Sequence, residues 1–336
     1  MKEIKAVGCV LLLCFVAHLS ARAADVSAAA PVPAFQGDFF GDMARAFGCV
    51  VSADTTARTL TVRLDRDDKL VTVPIRYDTE LHMRDSWGEL GDYFPGQHVM
   101  LFMYVDDEKN WTYPRAVQDD IHVSSIHKWY AAVTAIDKDA HTYSTHREEK
   151  DAKGNVTKKI DNIYSYADDV KVWKGAAPGG IDSLLIGDEV IQQLVAKDGK
   201  KVAVEILDRK GDDAVRALQD ERHRKDEDKL GLPAYVNDFN TLTGALTITV
   251  AWSSSARGKQ LKPAEVVAVQ PIDGSKTFAA AVCSRQDVDT RQRVELLTRS
   301  HVISRLAVGQ PLRVFMPGTG PALPTGKLGV PDFQKK

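Results

Sequence analysis

The sequence predicts a mainly β fold, small barrels strung in series, and three observations carry that expectation. First, a strand cassette recurs without a gap. It reads Val50-Val51-Ser52-Ala53-Asp54 then Arg58-Thr59-Leu60-Thr61-Val62, again Val133-Thr134-Ala135-Ile136-Asp137 then His141-Thr142-Tyr143-Ser144, and again Val236-Asn237-Asp238-Phe239-Asn240 then Gly244-Ala245-Leu246-Thr247-Ile248. The copies stand 83 and 103 residues apart (Val50 to Val133, Val133 to Val236), and such repetition marks one supersecondary unit copied along a chain. Second, a tight Gly turn precedes an apolar strand in each early copy, as Phe94-Pro95-Gly96-Gln97-His98-Val99 and Leu185-Ile186-Gly187-Asp188-Glu189-Val190. Third, short runs rich in Val, Leu and Thr alternate with polar loops at regular spacing, the pattern of all-β barrels and sandwiches.

Taken in chain order, residues 1–23 read as a signal peptide. Lys2 and Lys5 precede an apolar run from Ala6 to Ala17 that is too short to span a bilayer, and Ala21-Arg22-Ala23 offers small residues at −3 and −1. Cleavage near Ala23 would deliver a periplasmic or extracellular protein with Ala24 at its N-terminus. Residues 24–47 follow as a flexible Ala/Pro-rich start and a short helix, since Phe35, Phe39, Met43 and Phe47 recur every four residues. A first barrel unit is expected over 48–121 and a second over 122–209, the latter with a longer, polar, mobile hairpin loop from Glu148 to Lys159. Residues 210–231 predict a charged linker helix, with Asp220/Arg224 and Glu221/Lys225 spaced i,i+4. Its few aliphatic residues predict a solvated spacer between units two and three. A divergent third unit spans 232–317. Its Gly turn is Leu306-Ala307-Val308-Gly309-Gln310, but Leu261-Lys262-Pro263-Ala264-Glu265-Val266 is similar and suggests a partial fourth copy. Residues 318–336, with Pro and Gly, read as a disordered tail.

Units of this kind suit a closed or nearly closed barrel of five strands, OB-like as the first reading and SH3-like as the second. The strand-Asp, Gly-Thr-φ-Thr-Val and Leu-x-x-Gly-Asp-x-Val pattern resembles repeated small barrel domains, of unknown function, in secreted bacterial proteins. The resemblance covers most of 48–209 and parts of 232–316. Arg58 and Gln97 depart from it, standing where the pattern has Gly and Asp. It implies a fold and supplies no catalytic residues.

Composition is that of a globular chain, 44% hydrophobic and 27% charged, with a net charge of −2. The leader carries Lys2, Lys5, Arg22 and Glu3, so the mature chain would be near −4. That balance argues against a nucleic-acid partner, and no later segment has the roughly 20 apolar residues that membrane insertion needs. Cys49 and Cys283 survive processing and read as two separate buried thiols, outside any metal or redox spacing. His122/His127 and His141/His146 are each five apart, a spacing that points side chains to different faces of a strand or helix. His82 and His98 could meet across a barrel. Gly-x-Ser-x-Gly and Ser-x-x-Lys motifs are lacking, and Gly274-Ser275-Lys276-Thr277 is not a phosphate loop. The sequence therefore nominates no catalytic residue, no metal site and no cofactor. Its best binding signal is aromatic: Trp87 and Tyr93 near the first Gly turn, Trp111 and Tyr113 alternating onto one strand face, and Trp129 at the start of unit two. The expected function is a non-enzymatic binding or scaffolding protein of the cell envelope, whose partner is an envelope protein or a glycan. The alternative is a polysaccharide-binding or polysaccharide-modifying protein using the aromatic face of unit one.

Overall fold

The computed structural model describes residues 43–321, apart from 107, 109, 274 and 275. It is mainly β, with 19 strands among the described residues. The first sheet comprises β1 (Ala44–Asp54), β2 (Thr59–Leu64), β3 (Leu70–Pro74), β4 (Glu80–Met83), β5 (Ser86–Trp87), β6 (His98–Val105) and β7 (Trp111–Asp119), in the order β3-β2-β1-β6-β7-β4-β5. All neighbours are antiparallel except β4 and β7, which run parallel. The second comprises β8 (Ala131–Asp137), β9 (Thr142–Lys150), β10 (Val156–Trp173), β11 (Pro178–Gly179), β12 (Glu189–Lys197) and β13 (Lys200–Leu207). Here β9 pairs with β10, β10 runs parallel to β13, and β12 returns to β8, so five strands close on themselves. Unit one follows the same path with its third strand broken into β3 and β4.

Unit three departs from the five-stranded expectation. Its strands β14 (Leu232–Asn240), β15 (Ala245–Val250), β16 (Val266–Pro271), β17 (Phe278–Val288), β18 (Arg291–Leu297) and β19 (Pro311–Phe315) form a closed six-stranded barrel, ordered β14-β15-β18-β17-β16-β19. Exchanging β14 with β17, β15 with β18 and β19 with β16 leaves this order unchanged, so the barrel is two copies of one strand triplet.

The repeat has a concrete geometry. Val50 donates to the Gln97 carbonyl at 2.8 Å and accepts from the Gly96 N–H at 2.7 Å. Val133 does the same with Asp188 and Gly187, and Val236 with Gln310 and Gly309. Val282 repeats it with Glu265 and Ala264, at 2.9 and 2.8 Å. A β-bulge follows each valine, bending its strand into the curvature that a barrel needs. In each turn the side chain after the left-handed residue folds back onto a backbone N–H: Gln97 onto Phe94, Asp188 onto Leu185, Gln310 onto Ala307, Glu265 onto Lys262. The pattern's Asp is thus an acceptor position that Gln and Glu also fill. Arg58, in the pattern's Gly position, has φ of 49°. Its guanidinium donates to the Ile75 and Arg76 carbonyls and stacks on Tyr77, interactions that a glycine could not supply.

Three expectations need correction. The apolar stripe does not make a helix through Phe47: residues 44–47 lie in β1, where Ala46 faces the core and Phe47 is exposed against His98. The earlier part of that stripe, like the signal peptide, lies outside the described residues. The Glu148–Lys159 segment is not a loose loop, because β9 and β10 pair through Lys150 and Val156 around a turn organised by Asp151. Its side chains are polar because both faces of that hairpin extension meet water. Cys283 is exposed rather than buried, while Cys49 is buried, and the two are not bonded.

Gly187 and Gly96 adopt φ of 94° and 87°. A Cβ at Gly187 would meet nothing within 4 Å, whereas at Gly96 it would lie 2.9 Å from the Ala196 carbonyl oxygen of unit two. Gly187→Ala should therefore cost about 1–2 kcal/mol of left-handed strain, and Gly96→Ala distinctly more. Denaturant midpoints of the two variants check this; equal losses would contradict it.

Candidate functional site

The linker helix α2 (Arg209–Leu230) organises the centre of the molecule. Its N-cap Asp208 accepts from the Gly211 N–H at 2.7 Å. Gly211 is required by packing, since a Cβ there would sit 2.1 Å from the Trp173 carbonyl oxygen. The helix is not the solvated spacer that its composition suggested. Asp212, Val215, Gln219, His223 and Glu227 are buried along one face, a stripe at helical spacing made mostly of polar groups. Three of the polar ones find a partner on another element, and Glu227 faces His223 one turn away on the helix itself. Asp212 accepts from Tyr130 and Ser125, Gln219 donates to the Trp87 carbonyl, and His223 donates to the Ser253 carbonyl of unit three. Beside this seam Arg216 pairs with Asp85, Arg222 with Asp92, and Ser86 with Asp220.

A second helix, α1 (Asp120–Ile126), joins units one and two and has no counterpart in the sequence reading. Asp119 caps it, accepting from the His122 N–H at 2.8 Å and the Arg84 N–H at 3.0 Å. Burial pushes the Asp119 carboxyl up to about 7 despite those two donors. The helix delivers His122 onto His82, ring on ring at 4.2 Å. Trp87 packs on His82 at 4.3 Å and meets Trp252 of unit three edge-on at 5.3 Å. His82 also contacts Glu80, itself held by Arg115, and burial lowers its pKa.

The seam between units one and two is a charge lock. His98 bonds Asp120 at 2.6 Å and Asp65 at 2.9 Å, and Lys201 of unit two reaches the same Asp65 carboxylate. Burial alone would depress His98, but the hydrogen bonds to Asp120 and Asp65 carry it up to about 9. Burial likewise opposes the ionisation of Asp65, and the hydrogen bonds from His98 and Lys201 outweigh it, giving about 2. Backbone bonds add to the lock: Ala196 donates to the Gly96 carbonyl, and Leu194 to the Asp120 carboxylate.

Arg84 and Asp85 form the two-residue turn between β4 and β5, both with positive φ (53° and 57°). This type I′ geometry favours Gly or Asn, and here it projects two charges. Arg84 grips Glu205 of unit two with 3.1 Å contacts to both oxygens, and Asp85 serves His122 and Arg216. Between these contacts lies a cleft of about 320 Å³, walled by units one and two and by α2.

The aromatic residues singled out from the sequence do not form one platform. Tyr93 is 3% exposed and its hydroxyl donates to the His82 and Val117 carbonyls, which makes it a core residue and corrects its place among ligand contacts. Trp87 is half-buried in the junction with unit three. Trp111 packs on the core of unit one beneath Arg66, and Tyr113 stacks on Tyr104 with Arg76 across its ring. Trp129 is 39% exposed and stacks on His127 under Arg147. His82 and His98 go to different seams. Among the described residues no group of three His, Cys, Asp or Glu side chains is arranged to hold a metal ion, and no helix is long and apolar enough to cross a membrane.

The class that the fold defines is a tandem array of small β-barrels joined by polar seams. No protein-family model and no curated protein matches the chain.

The lock sets a pH dependence. His98 holds its proton to about 9 in the fold against an ordinary 6.5, so its stabilisation is full below about 6.5 and is lost as pH rises through 9. Asp65 falls to about 2 from 3.8, so its contribution is full above about 4 and is lost as pH drops through 2. The stability difference between wild type and His98→Gln should therefore be largest between about pH 4 and 6.5 and shrink towards pH 10. Thermal unfolding across that range tests it; a difference constant to pH 10 would count against the lock.

Proposed function

We propose that the protein is an exported, non-enzymatic binding or scaffolding protein of the bacterial cell envelope, in which serial barrels are held in fixed relation. One observation carries the reading: many of the buried and partly buried ionisable groups tie one element to another, several of them across units. His98, Asp65, Glu205, Asp85 and Asp212 each bond a residue on another element. In an enzyme such groups would be expected to converge on one open cleft with their reactive atoms free. The leader pattern at residues 1–23 supports export.

Fractionation with N-terminal sequencing tests the reading. The expected product lies in the envelope fraction and begins at Ala24; a cytoplasmic protein beginning at Met1 would overturn it.

Polysaccharide binding through the aromatic face of unit one is the second reading, favoured by the partial exposure of Trp111 and Tyr113 on alternate positions of β7. Those rings are already covered by Arg66, Arg76 and Tyr104. Trp111→Ala should accordingly lower the melting temperature, by less than the roughly 3–5 kcal/mol of a fully buried Trp, and leave retention on immobilised glycan unchanged. Lost retention at unchanged stability would favour the second reading instead.

A further inference from the structure

The cleft between units one and two holds groups that the seams do not use. Its walls contain two satisfied ion pairs, Arg84 with Glu205 and Arg222 with Asp92. Asp119 is occupied as the cap of α1. What remains is an exposed carboxylate, Asp169, and an exposed ammonium, Lys171, neither in an ion pair among the described residues. Both come from β10 at its largest irregularity: Tyr166 pairs with Ala203 and Lys171 with Glu205, so residues 167–170 stand opposite Val204 alone. Bulges of this kind re-aim side chains and recur beside binding sites.

Two further features bear on the cleft. Phe94, at the mouth, is 42% exposed. Gln193, in the wall, is 3% exposed; its Nε2 donates to the His98 and Leu194 carbonyls, while its Oε1 has no hydrogen-bond donor. A buried acceptor without a donor is costly unless something else supplies one.

We propose that this cleft binds a saccharide of one or two rings, with Phe94 stacked on a C–H face, Asp169 and Gln193 accepting from hydroxyls, and Lys171 donating to them. Arg84 with Glu205, Arg222 with Asp92, and Asp169 beside Lys171 balance in sign, so apart from the capping Asp119 the walls offer no excess charge to a simple anion or cation, whereas a neutral molecule bearing both donors and acceptors meets each free group. At about 320 Å³ the cleft is at the small end of ligand sites. The inference rests on the binding reading above and moves the site from the aromatic face of unit one to the junction of two barrels.

Isothermal titration of the mature protein with glucose, galactose, N-acetylglucosamine and their disaccharides is the test. At least one should saturate with a Kd of about 1 mM or tighter. Phe94→Ala, Asp169→Asn and Lys171→Met should each weaken it about tenfold without changing the melting temperature, since all three are exposed. Leu242→Ala, on the far surface of unit three and 95% exposed, should leave it unchanged. The proposal is overturned if no sugar saturates, if binding survives Phe94→Ala combined with Asp169→Asn, or if free amino acids bind in place of sugars. Fractionation to the envelope would then still stand, so the two readings fail separately.

Discussion

Four times along the chain, a bulged valine exchanges two backbone hydrogen bonds with the turn that feeds the strand beside it. The exchange satisfies a buried N–H and C=O where the bulge interrupts the regular ladder. It also fixes which strand lies next to the first, and so the register around each barrel. Val50, Val236 and Val282 are at most 2% exposed and belong to the apolar cores. Backbone geometry and apolar burial are therefore set at the same residue. The left-handed residue in each turn follows as a consequence, since the chain must reverse within one residue of the bond. Glycine meets that need three times, and Ala264, with φ of 68°, meets it at the cost of strain.

The barrels stabilise themselves with apolar cores of their own, and the joints between them combine charge with one small apolar cluster, Ile121, Trp173, Ile191, Leu207 and Val215. Between units one and two the polar contacts include Lys201 with Asp65, itself held by His98, Arg84 with Glu205, Gln193 with the His98 carbonyl, and a few main-chain bonds. Along α2 a buried stripe that would ordinarily be aliphatic is Asp212, Gln219, His223 and Glu227 around a single Val215. Polar seams bind less strongly per unit area than apolar ones, but an incorrect alignment leaves charges buried without partners, which costs several kcal/mol. Such seams specify geometry more than they add stability.

This division explains what could be read from the sequence. The cassettes were legible because the bulge, the hairpin Asp and the Gly turn are local and recur in fixed order, and the second Gly-like turn at Ala264 was visible for the same reason. The seams were not. His82 and His122 are forty residues apart and meet only because β4 runs parallel to β7 and Asp119 caps a short helix at its end. The buried face of α2 escapes any inference of burial from hydrophobicity, because its partners are hydrogen-bonding groups on units one, two and three. Phe47 misled in the opposite sense. Its four-residue step from Met43 fitted a helix, but the pairing of Ala44–Cys49 with β6 governs that segment. Of the aromatic residues, Trp111 was placed correctly on a strand, yet its arginine cover depends on a neighbouring hairpin tip.

The cleft is a product of the seams and not of either barrel. Phe94 comes from the first unit's turn, Asp169 and Lys171 from a bulge in the second, and Arg84 spans both. Neither unit alone would bring these side chains together. Two copies of an unremarkable barrel thus acquire a concave surface by being held together, and the strained Arg84–Asp85 turn is one of the contacts that hold them. Its two left-handed residues carry the charges that tie unit one to unit two on one side and to α2 on the other. Backbone strain of this type persists only where surrounding contacts hold it. Here those contacts are the inter-unit ion pairs, so the turn, the seam and the cleft depend on one another.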